Sequence, residues 1–464
     1  MILQKYEQQI SIVYSKAREI YFLTCKSAFW NERNLIYEAK TMIKIDTKGI
    51  RLDKIEQTYE NYIIPQLRSR IENEINKERN PSTTNAQRIA ILFLKKHFLD
   101  EHRLLSDDKI AAYLYCNHQN KPNEYLESII ISYWESLAEV LSSAAGIPKP
   151  NDAFILALSK WELIKTEALS KSDGQRFQLI ASIIRDDTLY LFSNVSKIEL
   201  FNWSMGRKLS DTKLKSIDIL HHKDAIAILE GIFNYSELLN NSSINPTPRH
   251  QIMSAMGVSV CPYCNRQYIT IYNDSESDTE KSTADLDHYY IKSAYPYLSL
   301  SLYNFVPSCQ ICNSRFKKTK DFYIHPHIYP YTQEFGDSTH FVINLSPDLM
   351  KVKDRWDDPL ILSLDSTSEP PERKCAIDNA INTFHLNDVY RSHLDYAQEM
   401  FLKSQAYNET SISLLQPIFD QFGSNFLLSD VFFGQYIQKE SLHKRPLAKL
   451  ARDILAECSD DVIK

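Results

Sequence analysis

Four of the eight cysteines fall into two pairs, Cys261-Pro262-Tyr263-Cys264 and Cys309-Gln310-Ile311-Cys312. Two residues between thiols let both sulfurs of a pair reach one ion from a tight turn or the first turn of a helix. Two such pairs complete a tetrahedral zinc shell. Structural Zn2+ on Cys261, Cys264, Cys309 and Cys312 is the first expectation. Cys25, Cys116, Cys375 and Cys458 stand alone and read as small buried hydrophobes. Cys-Pro-Tyr-Cys also has a redox reading, because a low-pKa thiol at a helix start can exchange disulfides. Here, however, Asn-Arg-Gln-Tyr-Ile-Thr-Ile-Tyr follows Cys264, which reads as a strand, and a redox site would leave the second pair unexplained.

Between the pairs lies Ala284-Asp285-Leu286-Asp287-His288-Tyr289-Tyr290, with Asn304 before the second pair and Asn313 directly after it. Phosphodiester cleavage needs an activated water and a cation to neutralise charge growing on the phosphate. A neutral imidazole is a suitable general base near pH 7. Carboxylate and amide oxygens suit a hard ion such as Mg2+. Neighbours on a strand point to opposite faces, so joint use of Asp287 and His288 requires a strand end or a bulge. Asp285 competes with Asp287 as a ligand if the register differs. Ser308 can cap a helix starting near Cys309, on which Cys309, Cys312 and Asn313 share one side. Arg315, Lys317 and Lys318 follow and are expected to meet phosphates, with Lys320 close behind. From 281 to 320, six bases (Lys281, Lys292, Arg315, Lys317, Lys318, Lys320) stand against two acids (Asp285, Asp287), an excess of four, although the whole chain carries −6.

The order CxxC, Asp-His, Asn, CxxC-Asn with a basic tail resembles the HNH endonuclease family, of ββα-metal fold, over roughly residues 255–325. The resemblance implies His288 as general base, Asp287 and Asn313 as ligands of catalytic Mg2+ or Mn2+, and Asn304 as the brace of the histidine-bearing loop. It implies a nucleic-acid substrate, with DNA expected ahead of RNA. Two departures concern loop geometry: Ile291 stands where the family often has proline, and the usual glycine pair is absent. HNH domains with large helical additions resemble effectors of bacterial antiviral defence, which an ATPase or other regulatory subunit often accompanies. That likeness is an analogy of architecture. The competing reading is a zinc-stabilised module that binds nucleic acid or protein without chemistry.

Elements able to hold such a site must come from a long chain with little glycine. Its 464 residues suffice for two or three domains, and 9 glycines disfavour Gly-rich phosphate loops and turn-dense sandwiches. The expected fold is mainly α, with a small α+β ββα-metal domain inserted between helical regions. Apolar residues at three- and four-residue spacing place helices over Leu3 to Ile20 and near 54–78, 86–98, 122–145 and 153–170. The expected divisions are a helical scaffold or docking region over 1–245 with a break near 146–152, the zinc-bearing domain over 246–345 and a helical region over 346–464. The polar stretch Asn240 to Pro248 marks the first boundary. The acidic segment Asn273 to Glu280 reads as a solvated loop. His221-His222 and His325-Pro326-His327 read as packing or hydrogen-bonding features. Tyr289, Tyr290, Tyr295, Tyr297 and Tyr303 read as core ahead of base-stacking. No apolar run is long enough to span a membrane and the N-terminus is too charged for a signal peptide. A cytoplasmic protein with free thiols is the expectation.

Overall fold

The structure, a computed structural model, describes residues 43–45, 50–115, 121–275, 279–345, 360–407, 409–421 and 427–458. The helix expected over Leu3 to Ile20, Cys25 and Cys116 lie outside the described residues. The fold is mainly helical, with small antiparallel ribbons. No described helix is long and apolar enough to cross a membrane.

In chain order the elements that matter are α1 (Leu52–Thr58), α2 (Ile64–Asn76), α3 (Asn85–Phe98), α4 (Asp107–Tyr115), α5 (Pro122–Ala145), α6 (His222–Ile232) and α7 (Pro248–Met256). Then come β1 (Ile271–Asp274), β2 (Thr279–Ser282), β3 (Ala284–His288), β4 (Phe305–Cys309), β5 (His340–Leu345) and β6 (Leu360–Asp365). The last are α8 (Pro371–Thr383), α9 (Leu386–Tyr390), α10 (Leu394–Ala406) and α11 (Ala448–Cys458). The strands pair antiparallel as β1 with β2, β3 with β4 and β5 with β6. The acidic segment is therefore partly strand, since Asn273 and Asp274 close β1 and Thr279 and Glu280 open β2.

Contacts divide the described chain into two compact units. One holds Tyr59–Leu239 and Tyr290–Asn304; the other holds the residues up to Thr58, then Asn240–Tyr289 and everything from Phe305 onward. Within the expected domain over 246–345, residues 246–289 and 305–345 thus share a unit with the C-terminal helices, while Tyr290–Asn304 belongs to the helical unit. The reason is local: Asn265 Nδ2 donates to the carbonyls of Leu442 and Arg445, and Asp453 of α11 accepts from Phe341 N on β5 at 2.9 Å.

The helical unit follows its sequence closely. Thr84 and Gln87 form a capping box that starts α3. Pro122 opens α5, and Gly146 closes it at φ +70°, a conformation that costs glycine nothing. Leu126, Ile129, Ile130, Tyr133, Leu137, Ala138 and Leu141 make its buried stripe. The segment Tyr290–Asn304 is built into this unit by tyrosines. Tyr113 Oη donates to the Tyr297 carbonyl at 2.8 Å, Tyr59 Oη to the Leu300 carbonyl at 2.7 Å, and the Tyr297 ring stacks on Tyr133 at 5.3 Å. Tyr289, Tyr290, Tyr295, Tyr297 and Tyr303 are all buried, so the belt is core. His222 opens α6 with its ring stacked on Trp134 at 4.7 Å and Nδ1 hydrogen-bonded to Tyr133 Oη at 2.9 Å, a packing role.

Burial lowers the pKa of His222 and of His97 to about 4, against an ordinary 6.5. Between these values the unfolded chain binds more protons than the folded one, so stability present at pH 7 is lost as pH falls through 6.5 toward 4. Urea unfolding at pH 5.5 should show this unit less stable than at pH 7.5 by roughly 1 kcal/mol per histidine. A profile flat over that range would contradict these neutral, packed imidazoles.

Candidate functional site

The first thiol pair sits in a turn, not at a helix start. Asn265 N donates to the Cys261 carbonyl at 2.9 Å and Cys261 N to the Gln267 carbonyl at 3.0 Å. The turn closes through Asn265 at φ +47°, a left-handed conformation that asparagine tolerates better than most residues. No helix follows, which removes the geometry a redox thiol requires. The second pair begins on the last residue of β4 and ends in a short π-helical segment, Ile311–Lys317.

All four thiols are unpaired by disulfide and buried, and their sulfurs lie within 4.8 Å of one another. Cys264 Sγ and Cys309 Sγ are 3.9 Å apart. A Zn–S bond of 2.3 Å in a regular tetrahedron implies a sulfur–sulfur edge of about 3.8 Å. The four cysteines could hold a zinc ion, and among the described residues no other set of three or more His, Cys, Asp or Glu side chains converges this way. The expectation of free thiols fails at Cys375, which is disulfide-bonded. Cysteines far apart in sequence give no spacing signal for such a bond.

The strand β3 carries the rest. Its register pairs Ala284 with Cys309, Asp285 with Ser308, Asp287 with Val306 and His288 with Phe305. Asp287 and His288 are thus the last two residues of the strand, the strand-end placement their joint use requires. Asp287 is 6% exposed and His288 7%. The His288 ring stands edge-on to Phe305 at 5.3 Å. Lys317 Nζ donates to both Asp287 carboxylate oxygens, at 2.9 and 2.7 Å, and to the His288 carbonyl. Tyr263 Oη donates to Asp287 Oδ2 at 2.7 Å. Burial pushes the Tyr263 hydroxyl pKa well up, and the Asp287 charge adds to it. Burial lowers the Lys317 pKa, and Asp287 opposes that shift.

Asn313 meets a different carboxylate. Its Nδ2 donates to Asp285 Oδ2 at 2.9 Å, and Ser314 Oγ donates to the same oxygen at 3.2 Å. Asp285 and Asp287 are two positions apart on one strand and so share a face, about 6.6 Å from each other along it. The two expected Mg2+ ligands thus meet different partners, Asn313 the Asp285 carboxylate and Asp287 the Lys317 ammonium; their oxygens are of the hard type that Mg2+ or Mn2+ takes. The positive charge that already lies on Asp287 belongs to Lys317. Asn304 is fully buried within the helical unit. Its Oδ1 accepts from Tyr290 N at 2.8 Å, and its Nδ2 donates to the Tyr290 and Leu298 carbonyls. It therefore ties down the loop that leaves His288.

Two expectations need correction. Ser308 caps nothing: it lies within β4, its hydroxyl buried without a partner, because the strand runs through Cys309 before the helical turn begins. Lys317 cannot meet phosphate in this conformation, because it is wholly buried and committed to Asp287, whereas Arg315, Lys318 and Lys320 are exposed. The sequence signal for Lys317 was its position four residues beyond Asn313, which puts both on one side of a helical turn. Its charge alone suggested solvent. Tyr263, hidden inside a thiol motif, gave no signal. His327 is structural, with Nε2 hydrogen-bonded to Thr383 Oγ1 at 2.8 Å and its ring stacked on Phe322 at 3.8 Å.

Compared with known proteins, the chain matches no family model, no curated protein and no solved structure.

Purified protein should carry one zinc per chain by elemental analysis, and Cys309→Ser should lose most of it. Structural zinc contributes roughly 10–16 kcal/mol of apparent binding energy in small domains, so the same variant should melt at lower temperature. Full zinc in Cys309→Ser would rule out the four-thiol site.

Proposed function

We propose that this chain is a metal-dependent HNH-type endonuclease that hydrolyses phosphodiester bonds in nucleic acid, with DNA the expected substrate. The observation that carries the reading is the placement of Asp287-His288 at the end of β3, while the partner strand β4 runs directly into Cys309, Cys312 and Asn313. One thiol cluster thereby anchors the strand pair and the helical turn that bear an acid, an imidazole and an amide.

In this reading His288 takes a proton from the attacking water, which neutral imidazole can do near pH 7. Asp287 and Asn313 would hold Mg2+ or Mn2+, which would neutralise charge developing on the phosphate. Asn304 keeps the chain beyond His288 in one conformation through three hydrogen bonds. Arg315 and Lys318, exposed on and just past the helical turn, bind flanking phosphates, and Lys320 adds a third cation. Zinc is structural: it holds the turn and the hairpin in register.

A second reading has a specific observation behind it. Both Asp287 oxygens are occupied by Lys317, and one also by Tyr263, so the carboxylate is already neutralised and hydrogen-bonded. A zinc-stabilised module that binds nucleic acid or protein without chemistry would look the same at this position. It predicts zinc, but no cleavage that depends on a second metal.

Plasmid incubated with the full chain and Mg2+ or Mn2+ should be nicked or linearised, and a chelator should stop the reaction until the divalent ion is restored. His288→Ala should cut on the order of 100- to 10,000-fold more slowly while keeping its zinc and its circular dichroism spectrum. Cleavage at the parental rate by that variant would defeat the assignment of His288.

A further inference from the structure

An ammonium group has three N–H donors and needs acceptors for each when it is removed from water. Lys317 has them: the two carboxylate oxygens of Asp287 and the carbonyl of His288. Its remaining side faces the Phe322 ring, with Nζ 4.6 Å from the centroid, a placement in which the ring face attracts the cation. The side chain is 0% exposed. Every neighbour needed to keep a cation in the interior is present, and none is solvent.

The acceptors belong to two successive residues, and they are the Asp-His pair itself. The carboxylate is a side-chain group of one and the carbonyl a main-chain group of the other. A single cation bridging them restricts both the Asp287 rotamer and the peptide orientation at His288. Lys317 also ends the helical segment that carries Cys312 and Asn313. Asp287 is held from the other thiol turn as well, through Tyr263 between Cys261 and Cys264. A residue inside the first thiol motif and one at the end of the helical segment that carries Cys312 therefore grip the same carboxylate.

We propose that Lys317 is a positioning residue of this site: its buried ammonium fixes the Asp287 carboxylate and the His288 main chain together, so that zinc-anchored structure sets the geometry of the Asp-His pair. The proposal rests on the nuclease reading above and adds to it a residue that touches neither substrate nor phosphate. A lysine at this place in a basic tail would otherwise be assigned to the nucleic-acid backbone, and the two roles differ in what they predict.

The test uses the full zinc-loaded chain and the variants Lys317→Met, Asp287→Asn and the double variant. Binding of a DNA duplex without added divalent ion is measured across salt concentrations. Lys317→Met should bind within about two-fold of the parent with the same salt slope, whereas loss of one phosphate contact would lower the slope by about one. That lower slope would overturn the proposal. In Mn2+-dependent cleavage, Lys317→Met should lose at least about ten-fold in kcat with KM within about two-fold. The double variant should be no slower than Asp287→Asn alone, because groups acting as a unit are not additive. Additive losses, or an undiminished kcat, would overturn it while leaving the nuclease reading intact. A parent chain that cuts with no divalent ion would sink that reading and this one with it.

Amine-reactive labelling read by mass spectrometry decides the geometry even if Lys317→Met fails to fold. In the native parent, Lys318 and Lys320 should label while Lys317 is protected, and Asp287→Asn should release Lys317 to the reagent. Labelling of Lys317 in the parent as fast as Lys318 would overturn the proposal.

Discussion

The convergence of four sulfurs is the constraint on which the second unit depends. A two-stranded ribbon is marginal on its own in water, and β3 and β4 are five residues each. Their pairing starts at Ala284 opposite Cys309, so the first rung of the ladder is itself a member of the thiol cluster. From that rung the register is fixed for the strand, and a slip of one residue would turn Asp287 and His288 to the opposite faces. The turn around Cys261 is fastened independently. Tyr390 Oη donates to the Cys264 carbonyl at 2.7 Å, and Asn265, next in sequence, is hydrogen-bonded to the C-terminal segment through its main chain and its amide. The cluster is thus connected to β4 on one side and to α9 and α11 on the other.

Two buried lysine–aspartate pairs in this unit show different uses of the same chemistry. Lys449 and Asp453 lie one turn apart on α11. Lys449 Nζ also donates to the Gly336 and Thr339 carbonyls, and Asp453 accepts from Phe341 N. That pair joins a helix to the start of β5 and satisfies main-chain groups there. Lys317 and Asp287 are thirty positions apart and join a helical turn to a strand end. A buried ion pair contributes little net stability once desolvation is counted, but removing one partner alone leaves an uncompensated charge. The Lys317–Asp287 pair therefore constrains the geometry of the Asp-His pair more than it adds stability.

What could be read from the chain alone follows the range of the interactions involved. The thiol cluster was legible because two CxxC spacings are local signals that together can surround one ion. The helices near 86–98 and 122–145 were legible from apolar periodicity, and the tyrosine belt from its density of large rings. Asp287-His288 at a strand end followed from the requirement that alternating side chains serve one place. The partners of those residues were not legible. Asn313 meets Asp285 and Lys317 meets Asp287 across 28 and 30 positions of chain, a separation over which no local pattern speaks. Ser308 shows the same error from the other side, a good capping residue placed in a strand by tertiary pairing. The assignment of Tyr290–Asn304 to the helical unit depends on hydrogen bonds such as Tyr113 to Tyr297, which no local pattern encodes.

The charge balance around the site also changes once contacts replace counting. Of the six cations between 281 and 320, Lys317 is spent on Asp287, Lys281 pairs with Asp274, and Lys292 lies over the Tyr235 ring at 4.9 Å. Arg315, Lys318 and Lys320 remain exposed together around the end of the helical segment. Three phosphate contacts correspond to a salt slope of about −2.7 for duplex DNA, which is a loss of about 40-fold in affinity between 50 and 200 mM salt. A chain of net charge −6 has no wider field to make up that loss. A site of this kind acting alone should therefore bind duplex DNA weakly at physiological salt. A measured slope much steeper than −2.7 would mean that phosphate contacts lie beyond these three residues. A slope near it, with efficient cleavage in cells, would require a partner that brings the substrate to the site.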